Sequence, residues 1–223
     1  MKNKWHYWAF SALKSALLLL VMCTAYGAVM FIGSDEGSLT TIINETIMFY
    51  YMIVSVVIGP IFFNTTIPLM LDIVLSLGST RKDAFKHINV FCGIFSLLLT
   101  IAFIILGLVS GKGFIQMLQA IVTYIACIFL SSGIGAIGGA HNMKKSSKLG
   151  FIYIASILSA VLIPMVLLLF SGTVNIMTGG DISIGLDNIG KIITVVAIVL
   201  GILFYGLGMS KMKKQLYVHE VRI

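Results

Sequence analysis

Side chains that could perform catalysis are few in this sequence and lie far apart. The Ser131-Ser132-Gly133 run is a weak match to the serine turn of an intramembrane protease, and no histidine lies at membrane depth to pair with it. No H-E-x-x-H motif and no G-x-x-x-x-G-K-[ST] phosphate-binding loop occurs. The chain has four histidines, all at the ends of apolar segments: His6, His87, His141 and His219. These residues predict a protein that is not an enzyme and that binds no cofactor or metal ion itself.

The cysteines and the positions of the charged residues also give no indication of a reactive or ion-binding site. Cys23, Cys92 and Cys127 lie inside apolar runs and have no C-x-x-C spacing, so we interpret them as small apolar packing residues. Carboxylates or cationic side chains at mid-membrane depth would mark an ion-coupled carrier, and the apolar runs hold none at their centres. An ion-driven carrier is therefore disfavoured.

The unusually apolar composition indicates which secondary-structure elements must position any functional site. Hydrophobic residues make up 59% of the 223 residues and charged residues 10%, whereas a soluble domain carries about 25% charged residues. Backbone groups in lipid must pair internally, and the apolar runs are continuous rather than alternating, which favours helices over a barrel. We predict an all-α membrane protein whose residues 1–223 form a single transmembrane domain.

Six apolar stretches have about the 20 residues that a helix needs to cross the hydrocarbon. All lysines and arginines except Lys112 and Lys191 fall on one side of this arrangement, which predicts that this side and both termini are cytoplasmic. The net charge of +7 is then a topology signal, and no nucleic-acid partner is implied. We predict a multi-pass protein of the bacterial cytoplasmic membrane. The spans lie near 9–32, 47–69, 88–109, 114–138, 149–171 and 191–210.

The residues before the first span mix basic and aromatic side chains. Lys2 and Lys4 are interleaved with Trp5, Tyr7 and Trp8, and such residues prefer the headgroup region. Two interpretations stay open. The segment is an amphipathic helix on the cytoplasmic membrane surface, or it is the aromatic belt of the first span.

The second apolar stretch is longer than one span. A straight helix over 47–77 would measure about 46 Å, whereas the hydrocarbon core is about 30 Å thick. Because proline removes a backbone donor and clashes with the preceding turn, we expect a kink near Pro60 and a second break near Pro68. The residues predicted to kink helices or to line a transport pathway are Gly59, Pro60, Asn64, Thr65, Thr66, Pro68 and Pro164.

Helix signals then follow one another on the predicted cytoplasmic side. Gly78 fits a helix C-cap, and Thr80 fits an N-cap with Asp83 three residues later. The pattern predicts a short apolar helix, a tight turn presenting Arg81 and Lys82, and a new helix leading into the third span. An ordinary basic loop would explain the charges but not this sequence of helix-capping residues.

The same run resembles the S-x-G-x-T-R-K-x-x-F loop between spans 2 and 3 of ABC-2-type transporter permeases, the membrane subunits of ATP-binding cassette exporters. It matches at Ser76, Gly78, Thr80, Arg81, Lys82 and Phe85. Six spans, cytoplasmic termini, a basic aromatic N-terminus and the chain length also agree. The resemblance implies a coupling helix that docks on a partner ATPase and contains Leu75, Ser76, Leu77, Gly78, Ser79, Thr80, Arg81, Lys82, Asp83 and Phe85.

The resemblance also implies a function. Two permease copies, identical or different, would pair with two separate ATPase subunits that bind ATP and magnesium. ATP-driven closure would push the coupling helix, tilt spans 1, 2 and 5, and export a hydrophobic or amphipathic peptide, antibiotic or lipid-like molecule. Residues 171–190 are too few for the re-entrant hairpin that larger members carry between spans 5 and 6. The alternatives are a motor-independent immunity or accessory protein against a membrane-active peptide, and a secondary carrier.

Small residues in the fourth span form a stripe. Gly135 and Gly139 stand four residues apart, and Ser131 extends the stripe by one turn. This spacing is typical of close helix packing in membranes, and a dimer face is the alternative. Most of the polar residues scattered through the spans are predicted to form hydrogen bonds between helices. These polar residues are Asn64, Thr65, Thr66, Thr100, Thr123, Tyr124, Ser131, Ser132, Ser156, Ser159 and Thr194.

Overall fold

Every regular element in the described part of the chain is a helix. The structure is a computed structural model that describes residues 10, 13–14, 17–18, 21–22, 24–25, 29, 47, 49–61, 75, 80–109, 114–143, 149–170 and 187–218. The separate residues described between 10 and 29 are helical and exposed. Five continuous helices follow: α1 Phe49–Ile61, α2 Arg81–Val109, α3 Phe114–Asn142, α4 Leu149–Phe170 and α5 Asp187–Val218.

Three helices in the described part are long and apolar enough to cross a membrane: Arg81–Val109, Met117–His141 and Gly190–Val218. Helix α4 adds a shorter apolar stretch, Ala155–Leu168. Large apolar side chains on the outer faces of these helices are exposed, as with Leu97 and Ile202 at 58% and 71%. Apolar surface of this extent needs a lipid environment. The protein is therefore a membrane protein.

Helices α2 and α5 are longer than the spans predicted for them. They contain 29 and 32 residues, which corresponds to about 44 and 48 Å of helix. Helix α2 begins at Arg81, directly after the predicted cap Thr80 and seven residues before the span predicted from 88, and α5 continues to Val218, eight residues past the span predicted to end at 210. Both additions lie at the same end of the bundle, and both are rich in basic residues.

Contacts between helices show that α1, α3 and α5 run in one direction. At successive contacts the residue numbers increase along both helices, as they do when two helices are parallel. Ser55 and Pro60 of α1 meet Tyr124 and Gly135 of α3. The pairs along α3 and α5 are Thr123 with Thr194, Ala126 with Gly201, and Gly133 with Gly208.

Helices α2 and α4 run the other way. Phe103 and Gly107 of α2 meet Tyr124 and Met117 of α3, so the order of contacts is reversed. Along α4, Ala160 clusters with Leu130 and Ile134, and Leu168 clusters with Cys127. The start of α2 and the end of α5 therefore share one end of the bundle, which we call the basic end.

Helix α3 lies at the centre of the described bundle. It packs most extensively on α5 and also contacts α1, α2 and α4. Of an apolar 18-residue stretch of α3, 72% is buried inside the protein, whereas the corresponding fractions are 39% for α2 and 28% for α5. Most of the surface of α2 and α5 is thus left for lipid or for partners.

Glycines allow α3 and α5 to cross at very short distance. A Cβ on Gly133 would meet the backbone of Phe204 and Tyr205, and one on Gly208 would meet the carbonyl oxygen of Gly133. A Cβ on Gly201 would lie 2.7 Å from the carbonyl oxygen of Ala126. Helices in lipid associate through van der Waals packing and interhelical hydrogen bonds, and small residues favour this packing because they let the backbones approach closely.

The small-residue stripe of α3 packs within the chain. A Cβ on Gly135 would lie 2.6 Å from the Cα of Pro60 on α1, and Gly139 is buried. The Ser131 hydroxyl donates to the Ile128 carbonyl of its own helix at 3.0 Å. The packing interpretation of this stripe is confirmed for Gly135. Gly133 belongs to the α3–α5 crossing and lies in the middle of a helix rather than in a turn.

Candidate functional site

The start of α2 is closed by a capping threonine. Thr80 Oγ1 accepts a hydrogen bond from the backbone N–H of Asp83 at 3.1 Å and donates to the Asp83 carboxylate at 2.6 Å. The first amides of a helix have no partner within the helix, and a carboxylate near them is favoured by the helix dipole. The predicted N-cap at Thr80 is thus confirmed, and the helix begins at the next residue.

Arg81 joins this helix start to the end of α5. Its Nη1 donates a hydrogen bond to the backbone carbonyl of Tyr217 at 2.6 Å. Tyr217 is the penultimate residue of α5, where carbonyl oxygens have no partner within the helix. The guanidinium charge also complements the negative end of the α5 dipole. A residue predicted to serve an ATPase partner is therefore engaged within the chain.

Phe85 forms the second contact between these two helix ends. The ammonium nitrogen of Lys213 lies 5.9 Å from the centre of the Phe85 ring, a distance at which a cation is attracted to the ring face. Met212 and Leu216 are fully buried beside this contact. We call the four residues Arg81, Phe85, Lys213 and Tyr217 the end clamp.

The end clamp is surrounded by positive charge. Lys82 and Lys86 on α2 are exposed, as are Lys211 and Lys214 on α5. Within the described ranges, Asp83 is the acidic residue at this end, and its carboxylate accepts the Thr80 hydrogen bond. The described surface of the basic end is consequently cationic and suited to acidic partners.

The structure describes only part of the predicted coupling segment. Ser76, Leu77, Gly78 and Ser79 lie outside the described residues. Leu75 is helical and packs, partly buried, against the main core cluster. The first turns of α2 contain Arg81, Lys82, Asp83 and Phe85, so these residues of the predicted coupling segment form the start of a long helix.

The predicted kink and pathway residues are distributed over two helices. Asn64, Thr65, Thr66 and Pro68 lie outside the described residues. Helix α1 continues through Gly59 and Pro60 to Ile61, and α4 continues through Pro164 to Phe170. Pro60 is buried against α3, and the carbonyl oxygen of Pro164 lies 3.7 Å from the thiol of Cys127. Both prolines are thus packed against α3 in the described bundle.

Hydrogen bonds link the helices through the buried core. Tyr124 on α3 donates to Ser55 Oγ on α1 at 2.8 Å, and Ser55 donates to the Met52 carbonyl at 2.9 Å. Thr123 and Thr194 join α3 to α5 at 2.9 Å. The predicted interhelical bonds of Thr123, Tyr124 and Thr194 are confirmed. The hydroxyls of Thr100, Ser131 and Ser159 instead donate to backbone carbonyls of their own helices, at Ser96, Ile128 and Ser156. Sequence reasoning missed Ser55, although its four-residue spacing from the equally buried Tyr51 marks one face of α1.

The described residues assemble no group of three metal-ligating side chains. Cys92 and Cys127 are buried and free of disulfides. An apolar groove of about 320 Å³ opens between α3 and α5. The described residues therefore connect the ends of α2 and α5 through the end clamp, and they offer an apolar groove in which an apolar group could bind.

No protein-family model, curated protein or solved structure matches this chain.

Proposed function

We propose that this protein is the permease subunit of an ABC-2-type exporter in a bacterial cytoplasmic membrane. It has six spans with both termini in the cytoplasm, and it pairs with a second permease copy, identical or different. A separate ATPase binds and hydrolyses ATP with magnesium. The cargo is a hydrophobic or amphipathic peptide, antibiotic or lipid-like molecule.

The end clamp is the observation that supports this proposal best. Arg81 and Phe85 match the loop pattern of these permeases, and both side chains hold the end of α5. A force on the start of α2 would therefore act on two membrane-spanning helices together. Contiguous paths of bonded and packed groups carry energetic coupling between distant sites.

Helix α3 extends this path into the middle of the bundle. Helix α5 crosses α3 with its backbone in contact at Gly133 and Gly208, and α2 packs on α3 through Phe103 and Tyr124, whose rings stack 4.4 Å apart. A push from an ATPase at the basic end would move α2, α3 and α5 as one packed unit. Lys82 is exposed beside the clamp and is available to an acidic surface of the ATPase.

The test compares the variant Arg81→Ala/Phe85→Ala with the matched variant Lys211→Ala/Lys214→Ala in the complete transporter. The matched pair removes two cations at the same end without touching the clamp. We expect export to fall at least about tenfold in the clamp variant while the ATPase still co-purifies. The variant loses the contact of Phe85 with Lys213 and the Arg81 hydrogen bond, and a hydrogen bond to a charged group contributes about 1.5–3 kcal/mol. The matched variant should retain most of its export activity.

Three outcomes would overturn the proposal. The first is normal export by the clamp variant in an intact complex. The second is protection against a membrane-active peptide in cells that lack every candidate ATPase partner, which indicates the immunity function. The third is ion-gradient-driven uptake into liposomes that contain this chain alone, which indicates a secondary carrier. A pull-down from gently solubilised membranes that never recovers an ATP-binding cassette protein would support the last two.

A further inference from the structure

An apolar groove lies on the lipid-facing side of the contact between α3 and α5. Its volume is about 320 Å³, and every lining residue is apolar. Ile202 is 71% exposed, so the groove is open to its surroundings rather than enclosed. The lining residues are Val122, Ile125, Ala126 and Phe129 from α3, and Ile198, Gly201 and Ile202 from α5.

The groove continues along α5 toward the basic end. Gly206 follows Ile202 by four residues and therefore lies on the same face of the helix. A Cβ built on Gly206 has no atom within 4 Å, and the residue is exposed. Lys213 lies seven residues further, again on this face. Ile202, Gly206 and Lys213 thus mark an open strip with an apolar groove at one end and a cation at the other.

The length of this strip equals one leaflet of a bilayer. Ile202 and Lys213 are separated by 11 residues in sequence, which is about 16 Å of helix. Half of a hydrocarbon core about 30 Å thick is about 15 Å. When the groove lies at the bilayer midplane, the ammonium of Lys213 consequently lies at the level of the lipid phosphates.

Two lysines, Lys213 and Lys214, place positive charge at the end of the strip that lies at the basic end of the bundle. The ring of Phe85 lies 5.9 Å from the Lys213 ammonium, which favours one position for this cation while the residue stays exposed. Lys214 is exposed next to it. Basic residues at the membrane surface attract acidic headgroups by about 1 kcal/mol each.

We propose that the strip binds one acidic phospholipid of the leaflet at the basic end. Lys213 and Lys214 bind the phosphate, and one acyl chain passes over Gly206 into the groove between α3 and α5. This assignment depends on the membrane-spanning helices and not on the transport function proposed above.

Charge argues for a lipid rather than a second copy of the chain on this strip. A symmetric dimer that packs α5 against α5 would bring Lys213 and Lys214 close to the same residues of its partner. Like charges at such an interface repel each other. An acidic headgroup neutralises the same two lysines.

The experiment uses the full chain in lipid nanodiscs with a photoreactive diazirine at the end of the acyl chain. Phosphatidylglycerol and phosphatidylcholine probes carry the same chain, and labelled peptides are identified by mass spectrometry. We expect phosphatidylglycerol to label the peptides containing Phe129 and Ile202 several times more strongly than phosphatidylcholine. Each change of Lys213→Gln or Lys214→Gln should reduce this preference by roughly fivefold at low ionic strength.

Two glycine variants separate the strip from general lipid contact. Gly206→Leu places a side chain across the strip, whereas Gly93→Leu places one at an equally open position on α2. Labelling of the groove should fall severalfold in the first variant and stay unchanged in the second. Both variants should elute as folded protein, because both glycines are exposed and a Cβ on either has no atom within 4 Å.

The proposal is overturned by equal labelling from the two probes, or by groove labelling that Gly206→Leu leaves intact. It is also overturned if Gly206→Cys chains form disulfide-linked dimers efficiently in native membranes, since a second copy would then cover the strip. The lysine and glycine variants are read out by lipid labelling alone, so a chain that fails to transport can still pass this test.

Discussion

Thr80 and Arg81 are neighbours in sequence but stabilise different helix ends. Thr80 satisfies the Asp83 amide at the start of α2, and Arg81 satisfies the Tyr217 carbonyl at the end of α5. Both groups would otherwise lack a partner within their own helices. Two consecutive side chains therefore define where α2 begins and where the end of α5 is held.

Loss of the Thr80 hydroxyl should loosen the start of α2. We expect Thr80→Ala to lower the free energy of unfolding by about 1 kcal/mol, the usual cost of removing an N-cap, measured as a lower melting temperature of the purified protein. Thr80→Ser keeps the hydroxyl and should remain within a few tenths of a kcal/mol of the natural protein. Equal losses in the alanine and serine variants would contradict a capping role.

Helix α5 presents two chemically different faces. Toward α3 it places Gly201 and Gly208, which bring the two backbones into contact. Away from α3 it exposes large apolar residues such as Val199 and Leu203, with Gly206 among them. The same residue type thus has opposite surroundings two positions apart, because a helix turns by about 100° per residue.

This difference predicts opposite effects of one substitution at two glycines. Gly206→Ala gains helix propensity and meets open space, so it should be neutral or stabilising by up to about 1 kcal/mol. Gly208→Ala gains the same propensity but forces the Gly133 carbonyl away, and overpacking of this kind costs about 1–3 kcal/mol. Melting temperatures in one detergent measure the difference. Similar shifts for the two variants would refute the backbone contact between α3 and α5.

At the scale of the whole molecule, alternating helix directions segregate charge. Arg81, Lys82 and Lys86 at the start of α2 share an end with the lysines of the last turns of α5. Asp187 and Lys191, at the start of α5, lie at the opposite end. The described bundle therefore has one strongly cationic end, as the positive-inside pattern requires if that end is cytoplasmic.

Cysteine labelling in intact cells tests this orientation. In a chain with Cys23, Cys92 and Cys127 replaced by serine, Lys191→Cys should react with a membrane-impermeant maleimide from outside. Lys214→Cys should react only after the cells are broken, because the positive-inside pattern predicts that the cationic end lies in the cytoplasm. The cysteine-free chain is the control for background labelling. The reverse pattern would show that the protein is inserted in the opposite orientation.

The sequence by itself determined the properties that depend on neighbouring residues. Hydropathy over about 20 residues indicated membrane helices, and three of the described helices are long and apolar enough to cross a membrane. The N-cap at Thr80 was readable because a cap involves residues only three apart. The role of Gly135 as a packing residue could also be predicted, since the spacing of small residues along one helix is a local pattern.

Only the tertiary structure decided which distant residues meet. Arg81 and Tyr217 are 136 positions apart, and nothing in the periodicity of either segment matches one to the other. The contact of Gly133 with Gly208 and the groove beside Gly201 likewise depend on how far α5 slides along α3. In lipid every apolar helix face is equally solvated, so the register between helices is set by backbone approach and hydrogen bonds that exist only in the assembled bundle.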